Sequence, residues 1–177
     1  PIKISTKAGF KGGFVKYEYL KNDANRLLKQ RNDTVISTFV DYFRIPNDIP
    51  DYGNCLQIHN IDDRIKCLES SIANDIGNER FLPYIQKYEC ESVLFSSNTG
   101  VNVSKRTNEI IERYSNPEDI NDNSATSPSN RLKQIVPQYN KVLTGNILAL
   151  DIGIERILEK CPRFRDWVTK IINLVNN

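Results

Sequence analysis

The predicted fold class follows from two stretches, TVISTFVD (residues 34–41) and RFLPYIQ (residues 80–86). The first stretch is rich in β-branched and aromatic residues up to residue 40, which predicts a strand buried on both faces. The second predicts a short strand in which Pro83 indicates an edge or a bulge. Helical patterns precede both strands, and this alternating order favours a largely parallel sheet.

The helices around these strands carry local signals. In residues 15–30, apolar side chains recur in steps of three and four, which predicts a helix. Asn60 is the predicted N-cap of a helix over residues 61–76, and Gly77 is its predicted stop. Further helices are predicted over residues 89–96, 104–114, 131–135, 147–159 and 163–175.

We therefore predict an α/β core over residues 1–100 and a helical C-terminal subdomain over residues 101–177. The chain has 177 residues, 39% of them hydrophobic and 26% charged, which is typical of a globular protein. No apolar run approaches the ~20 residues that a membrane span needs, and the polar, basic start does not resemble a secretory leader. We expect a cytoplasmic protein without a membrane partner.

The cysteines and methionines give two further expectations. Spacings of 12, 23 and 71 residues separate the four cysteines and match no zinc motif, so four free thiols in a reducing cytosol are expected (Cys55, Cys67, Cys90, Cys161). The sequence contains no Met at all. This count fits three explanations: a leading Met removed before Pro1, a chain that begins inside a longer protein, or modified methionines left out of the sequence.

Basic and acidic residues are unevenly distributed along the chain, although its net charge is only +2. Residues 1–31 sum to +6, residues 32–100 to −6 and residues 101–177 to +2. A basic stretch beside an acidic one can form a polyanion-binding surface next to a cation-binding site. The other interpretation, two solvated faces that neutralise each other, is favoured by charge alone.

Three carboxylates follow the predicted strands. Asp41 ends the first strand, and ligands of open parallel sheets bind outside the carboxyl ends of strands. A carboxylate buried there needs a metal, a basic partner or backbone donors, although a loop-capping role before Pro46 fits equally well. Glu89 and Glu91 follow the second strand, so all three could converge on Mg²⁺. Taken alone, the two Glu residues are better explained as solvated acids of a first helical turn.

The sequence also contains a candidate anion-binding site. Ser127, Ser129, Arg131 and Lys133 surround a predicted helix start, where free N–H groups and a guanidinium can bind phosphate. An ordinary N-cap with solvated basic side chains is the simpler interpretation. The sequence contains no P-loop, no G-x-G-x-x-G after a strand, no G-x-S-x-G elbow and no H-E-x-x-H motif.

Several stretches together resemble an uncharacterised bacterial family, family 4276 of the domains of unknown function. The resemblance covers nearly the whole chain in the same order: GGFVKYEYLKNDANRLLK (12–29), VISTFVDYFRIPNDIP (35–50), RFLPYIQKYECESVLFS (80–96), NPEDINDNSATSPSNRLKQIVPQYNKVLTG (116–145) and DIGIERILEKCPRFRDW (151–167). That family in turn resembles the Toprim fold, the metal-binding α/β domain of topoisomerases, primases and overcoming-lysogenization-defect nucleases.

The resemblance implies a set of metal ligands. Toprim domains hold Mg²⁺ with a Glu after the first strand and an Asp-x-Asp after a later one, and the metal supports phosphodiester chemistry. Asp41 matches the first Asp of that motif, whereas Phe43 stands at the second. Glu89 and Glu91 match an acidic stretch of the family in which Tyr88 replaces a His. The family's opening strand and its Glu have no counterpart here, so the core is expected to lack its first strand.

Two functions therefore remain open. In the first, the chain is a Mg²⁺-dependent, nuclease-like Toprim domain acting on nucleic acid, with catalytic acids Asp41, Glu89 and Glu91. Asp41 and Glu89 would hold the metal, and the substrate would contact Gly12, Gly13, Ser129, Arg131 and Lys133. In the second, the chain is a catalytically silent Toprim-like module that partners an ATPase encoded nearby, in a bacterial defence-type system. Phe43 and the missing Glu favour the second.

Overall fold

The computed structural model describes residues 5–7, 10–11, 14–98, 105–121, 124–136 and 138–176. The chain divides into two compact units. Unit 1 comprises Pro1–Lys87 with Lys170–Asn177, and unit 2 comprises Tyr88–Thr169. The predicted α/β class is confirmed. The predicted domain boundary at residue 100 stays a prediction.

Unit 1 alternates short strands with helices. Its elements in chain order are β1 (Ser5–Lys7), β2 (Phe10–Lys11), α1 (Tyr17–Gln30), β3 (Ile36–Ser37), β4 (Val40–Asp41), α2 (Tyr52–Leu56), α3 (Ile61–Ile76), β5 (Phe81–Leu82) and β6 (Ile85–Gln86). β1 and β2 pair antiparallel, whereas β3 pairs with β5 and β4 with β6 in parallel. The parallel pairing that the sequence predicts is confirmed, but it is divided between two short sheets.

A side chain explains why the parallel strands are interrupted. The Thr38 hydroxyl accepts the Tyr84 N–H at 2.8 Å, in place of a backbone acceptor, and donates to the Tyr84 carbonyl at 3.0 Å. The same carbonyl also accepts the Val40 N–H at a long 3.4 Å. Pro83 has no N–H to contribute to the ladder. The β3–β5 pair and the β4–β6 pair have the same register, because Ile36 lies opposite Phe81 and Asp41 lies opposite Gln86.

The helices of unit 1 begin and end where local signals place them. The Asn60 side chain accepts the backbone N–H groups of Asp62 and Asp63, and Gly77 ends α3 at a φ of 63°. Left-handed backbone of this kind favours glycine. α1 and α3 bury their apolar faces in one cluster, which also contains strand residues (Tyr17, Leu20, Ala24, Leu28, Val40, Ile49, Cys55, Ile65, Leu68, Ile72, Phe81, Ile85).

A polar contact joins α1 to the end of α3. The Tyr17 hydroxyl donates to Asp75 at 2.6 Å, and the Lys21 ammonium lies 2.8 Å from the same carboxylate. The hydrogen bonds from Lys21 and Tyr17 hold the pKa of the Asp75 carboxyl below its usual range. Asp48 accepts the Tyr17 backbone N–H and so caps the start of α1.

The expectation of four free thiols is wrong. Cys55 in α2 and Cys67 in α3 form a disulfide, with their Cα atoms 5.6 Å apart. The other two cysteines, Cys90 and Cys161, form no disulfide. The sequence separation of 12 residues carries no disulfide signature; the pairing depends on the packing of α2 on α3, which the sequence pattern does not reveal.

Unit 2 is helical. It contains α4 (Lys105–Arg113), α5 (Pro128–Ile135), α6 (Leu143–Ile152), α7 (Ile154–Lys160) and the start of α8 (Pro162–Asn176), with 3-10 segments at Cys90–Phe95, Pro117–Asp119 and Ser124–Thr126. Its core contains Val93, Leu94, Phe95, Ile110, Ile120, Leu132, Leu148, Ile152, Ile157 and Cys161. No helix among the described residues is long and apolar enough to span a bilayer.

The predicted helix over residues 147–159 is wrong as a single element. α6 begins four residues earlier, and Gly153 separates it from α7 with a φ of 81° and a ψ of 148°. That conformation is accessible to glycine but not to most other residues. The predicted helix over residues 89–96 is also different, because Cys90–Phe95 is a 3-10 segment.

Candidate functional site

Asp41 lies at the carboxyl end of a parallel strand, as its position in the sequence predicts. It is the last residue of β4 and lies opposite Gln86, the last residue of β6. Gln86 is fully buried, and its side chain accepts the Tyr84 hydroxyl at 2.6 Å. The Tyr42 N–H continues the ladder to the Gln86 carbonyl at 2.9 Å. These hydrogen bonds hold the backbone of both strands in place where the half-buried Asp41 carboxyl lies.

An exposed aromatic side chain occupies the position of the second Toprim Asp. Phe43 is 49% exposed, and the Arg44 guanidinium lies 5.1 Å from the centre of its ring. A hydrogen bond from the Ile45 N–H to the Tyr42 carbonyl closes the turn that contains them. Arg44 has a φ of 58°, a left-handed conformation that costs a non-glycine residue energy. This turn provides no second carboxylate.

Glu89 caps a helix that is distant in sequence. Its side chain is 9% exposed, and its Oε2 atom accepts the Ser129 N–H at 2.9 Å, at the start of α5. Ser127, the N-cap residue of α5, makes no side-chain capping hydrogen bond itself. A negative charge is stabilised there by the free N–H groups and the dipole of the helix.

Glu91 is buried in the first turn of the 3-10 segment. It is 4% exposed, and its Oε2 atom lies 3.0 Å from the Lys141 ammonium. The Lys141 side chain is itself 55% exposed. Among the described residues, hydrogen bonds reach only the Oε2 atoms of Glu89 and Glu91. The interpretation that both acids face water is wrong, because both are buried.

A tyrosine hydroxyl lies near these acids without a hydrogen-bond partner. The Tyr139 Oη atom is buried and makes no hydrogen bond within the described part of the chain. A Cβ atom on Gly145 would lie 3.2 Å from it, so the glycine permits this close approach. Burial first, and then the charge of Glu91, raise the pKa of Tyr139 above its usual range.

The predicted anion-binding residues have partners within unit 2. The Ser129 N–H is bonded to Glu89. The Arg131 Nε–H donates to the Thr126 carbonyl at 2.6 Å, and its guanidinium lies 5.8 Å from the centre of the Tyr114 ring. Lys133 is exposed. The roles of these residues in phosphate binding stay predictions.

The predicted site residues belong to different units, and two of them are not described. Gly12 and Gly13 lie outside the described residues. Asp41 belongs to unit 1, whereas Glu89 and Glu91 belong to unit 2. A metal shared by Asp41 and Glu89 stays a prediction. Sequence patterns gave no signal for Tyr139 and Lys141, because each reaches Glu91 only through the tertiary fold.

Comparison with known proteins identifies the family. No curated protein matches the chain significantly. No solved structure does so either. A family model described as Domain of unknown function (DUF4276) matches residues 1–172. The resemblance found in the sequence is thereby confirmed at the level of the family, and the chain belongs to this family of domains of unknown function.

Proposed function

We propose that the protein is a Mg²⁺-dependent, nuclease-like domain that cleaves phosphodiester bonds of nucleic acid, with a Toprim-like arrangement of acidic ligands. The observation that carries the proposal is the burial of Glu89 and Glu91, whose carboxylates accept hydrogen bonds from the described part of the chain only at their Oε2 atoms. Buried carboxylates are normally paired or bound to metals. The Oε1 atoms are suitable ligands for a hard cation.

The local charge balance supports a cation at this position. Glu89 and Glu91 bring two negative charges. Among the described residues, the positive groups that contact them are the Lys141 ammonium at 3.0 Å and the start of α5, which is equivalent to about half a positive charge. Negative charge therefore remains in a buried setting, where it costs free energy. Mg²⁺ binds one or two carboxylates and keeps several waters, which fits this donor set.

Asp41 is proposed as the third acidic ligand. The resemblance aligns it with a Toprim Asp. Its partner across the strands, Gln86, precedes Glu89 by three residues. A bound Mg²⁺ would supply charge neutralisation and activation of water for phosphodiester cleavage. Gly12, Gly13, Ser129, Arg131 and Lys133 are proposed to contact substrate phosphates.

A second candidate is a catalytically silent module that partners an ATPase. Two observations favour it. Phe43 stands where a catalytic Toprim has an acid, and the Glu91–Lys141 ion pair satisfies one carboxylate without a metal. This candidate predicts a neighbouring gene product that co-purifies with the chain, and no cleavage by either protein.

Nicking of supercoiled plasmid tests the proposed function. The full chain is expected to nick DNA with Mg²⁺ or Mn²⁺ but not with EDTA, because the acids need a cation to act on phosphate. Asp41→Ala, Glu89→Gln and Glu91→Gln are expected to lower the nicking rate at least tenfold, equivalent to ~1.4 kcal/mol. Gln at position 89 still offers an oxygen to the Ser129 N–H, so the fold is retained.

The matched control is Glu112→Gln. Glu112 is an exposed acid of α4, so this change removes a carboxylate from unit 2 without touching the site. We expect it to nick at the wild-type rate. A wild-type chain that fails to nick with either cation would contradict the proposal, and so would full activity in all three site variants.

A further inference from the structure

The two partners of the Glu91–Lys141 ion pair differ in burial. The Glu91 carboxylate is buried, whereas the Lys141 side chain is more than half exposed. A lysine ammonium is strongly hydrated and lies at the end of a flexible stem, so it can move into water at little cost. A buried carboxylate that loses its partner keeps an uncompensated charge, which is costly. The ion pair therefore opens readily only when another positive charge replaces the ammonium at Glu91.

Glu89 is held in a different way. Its carboxylate accepts the backbone N–H of Ser129 at 2.9 Å, and Ser129 belongs to the first turn of α5. A backbone N–H of a helix can leave the carboxylate only if the start of the helix moves with it. Glu91 differs from Glu89 because its positive partner is a flexible side chain.

The backbone that carries Lys141 is held in place by hydrogen bonds of the preceding residue. The Asn140 side chain accepts the N–H groups of Val142 at 3.0 Å and Leu143 at 2.9 Å. The Asn140 N–H in turn donates to the Thr144 hydroxyl at 3.2 Å. Hydrogen bonds of this kind stabilise the start of a helix. Opening of the ion pair therefore requires motion of the Lys141 side chain alone.

We propose that the Lys141 ammonium occupies the place of the cation at Glu91, so that it competes with a divalent metal ion for this carboxylate. The inference rests on the proposed metal site at Glu89 and Glu91. When no metal is bound, the ammonium neutralises Glu91. A divalent ion brings one more positive charge than the ammonium that it displaces, and the ammonium returns to water. Lys141 thereby sets the concentration of free cation at which the site fills.

The expected size of the competition follows from the population of the closed ion pair. If the pair is closed in about nine of ten molecules, about one in ten presents Glu91 to a cation, and the apparent affinity for the metal falls about tenfold. Removal of the ammonium charge also removes its repulsion of the cation. A structural role of Lys141 predicts the opposite sign, because loss of a structural partner would misplace Glu91 and weaken metal binding.

Calorimetric titration of the full chain with Mn²⁺ tests the competition. Lys141→Met keeps most of the length of the side chain and removes its charge. It is expected to bind Mn²⁺ about tenfold more tightly than the wild type. The matched control is Lys66→Met, since Lys66 of α3 pairs at 3.4 Å with Asp63, an exposed acid of the same helix. This control is expected to bind Mn²⁺ as tightly as the wild type.

A second variant keeps a hydrogen-bond donor for Glu91. Lys141→Gln offers a neutral amide N–H to the carboxylate, so the fold is retained while the charge is lost. It is also expected to bind Mn²⁺ more tightly than the wild type. If the wild type binds Mn²⁺ and both Lys141 variants bind it equally well or more weakly, the competition is overturned and the proposed function is not. If neither the wild type nor the two variants bind Mn²⁺, both are overturned.

Thermal denaturation provides an independent readout. Without metal, Lys141→Met is expected to melt at a lower temperature than the wild type, because the buried Glu91 carboxylate loses its counter-ion. The same Mn²⁺ concentration is expected to raise the melting temperature of Lys141→Met more than that of the wild type, because tighter binding stabilises the folded chain more. Equal shifts with Mn²⁺ in the two chains would overturn the competition.

Discussion

Glu118→Ala is expected to lower the free energy of unfolding by about 3–5 kcal/mol, because the variant leaves buried donors without an acceptor. Glu118 is fully buried. Its carboxylate accepts the backbone N–H of Arg163 at 2.8 Å and of Phe164 at 3.2 Å, both in the first turn of α8. It therefore joins the 3-10 segment Pro117–Asp119 to the start of the last helix. A negative charge at that position is also favoured by the helix dipole.

Urea denaturation followed by circular dichroism measures this loss. Glu118→Gln keeps the size of the side chain and one carbonyl oxygen. We therefore expect its free energy of unfolding to lie between those of the wild type and Glu118→Ala. The matched control is Glu112→Ala, an exposed acid of α4, which is expected to change stability by less than ~0.5 kcal/mol. If Glu118→Ala is as stable as that control, the capping role assigned to Glu118 is wrong.

Reduction of the Cys55–Cys67 disulfide is expected to cost about 3 kcal/mol, because the unfolded chain gains the conformational freedom of a closed loop. The bridge joins residues 12 apart in sequence. Cys55 is fully buried in the core of unit 1, beside Leu68 and Ile72 in the same apolar cluster. The effect is therefore expected in the unfolding of unit 1.

Thermal denaturation with and without a phosphine reductant provides the measurement. The wild-type chain is expected to melt at a lower temperature after reduction. The double variant Cys55→Ser, Cys67→Ser is the control, and its melting temperature is expected to be insensitive to the reductant. Titration of four free thiols in the unfolded, non-reduced wild-type chain would show that the disulfide does not form.

Local signals made much of the fold predictable. α3 begins and ends at the predicted residues because Asn60 and Gly77 act on their immediate neighbours. The parallel pairing followed from the order of helices and strands. The interruption at Thr38 was not predictable, because its hydroxyl meets the Tyr84 N–H across a gap of 46 residues. Tertiary contacts of this kind leave no periodic pattern in the sequence.

The candidate site was predictable only in part. The position of Asp41 at a strand end follows from the strand pattern alone. The sequence places Glu89 and Glu91 after the second strand but does not reveal their burial, because their partners lie 40 and 50 residues away at Ser129 and Lys141. Tyr139 belongs to no motif. The lack of a hydrogen bond from its hydroxyl to the described residues is a property of the packed unit.

Isothermal titration calorimetry of the full chain with Mn²⁺ is the direct test of a metal site at Glu89 and Glu91. Mn²⁺ is used because it binds oxygen ligands like those of Mg²⁺. We expect a single bound ion for the wild type and for Glu112→Gln. For Glu89→Gln and Glu91→Gln, we expect an affinity at least tenfold lower. A wild-type chain that binds no Mn²⁺, or site variants that bind it as tightly as the wild type, would contradict a metal at Glu89 and Glu91.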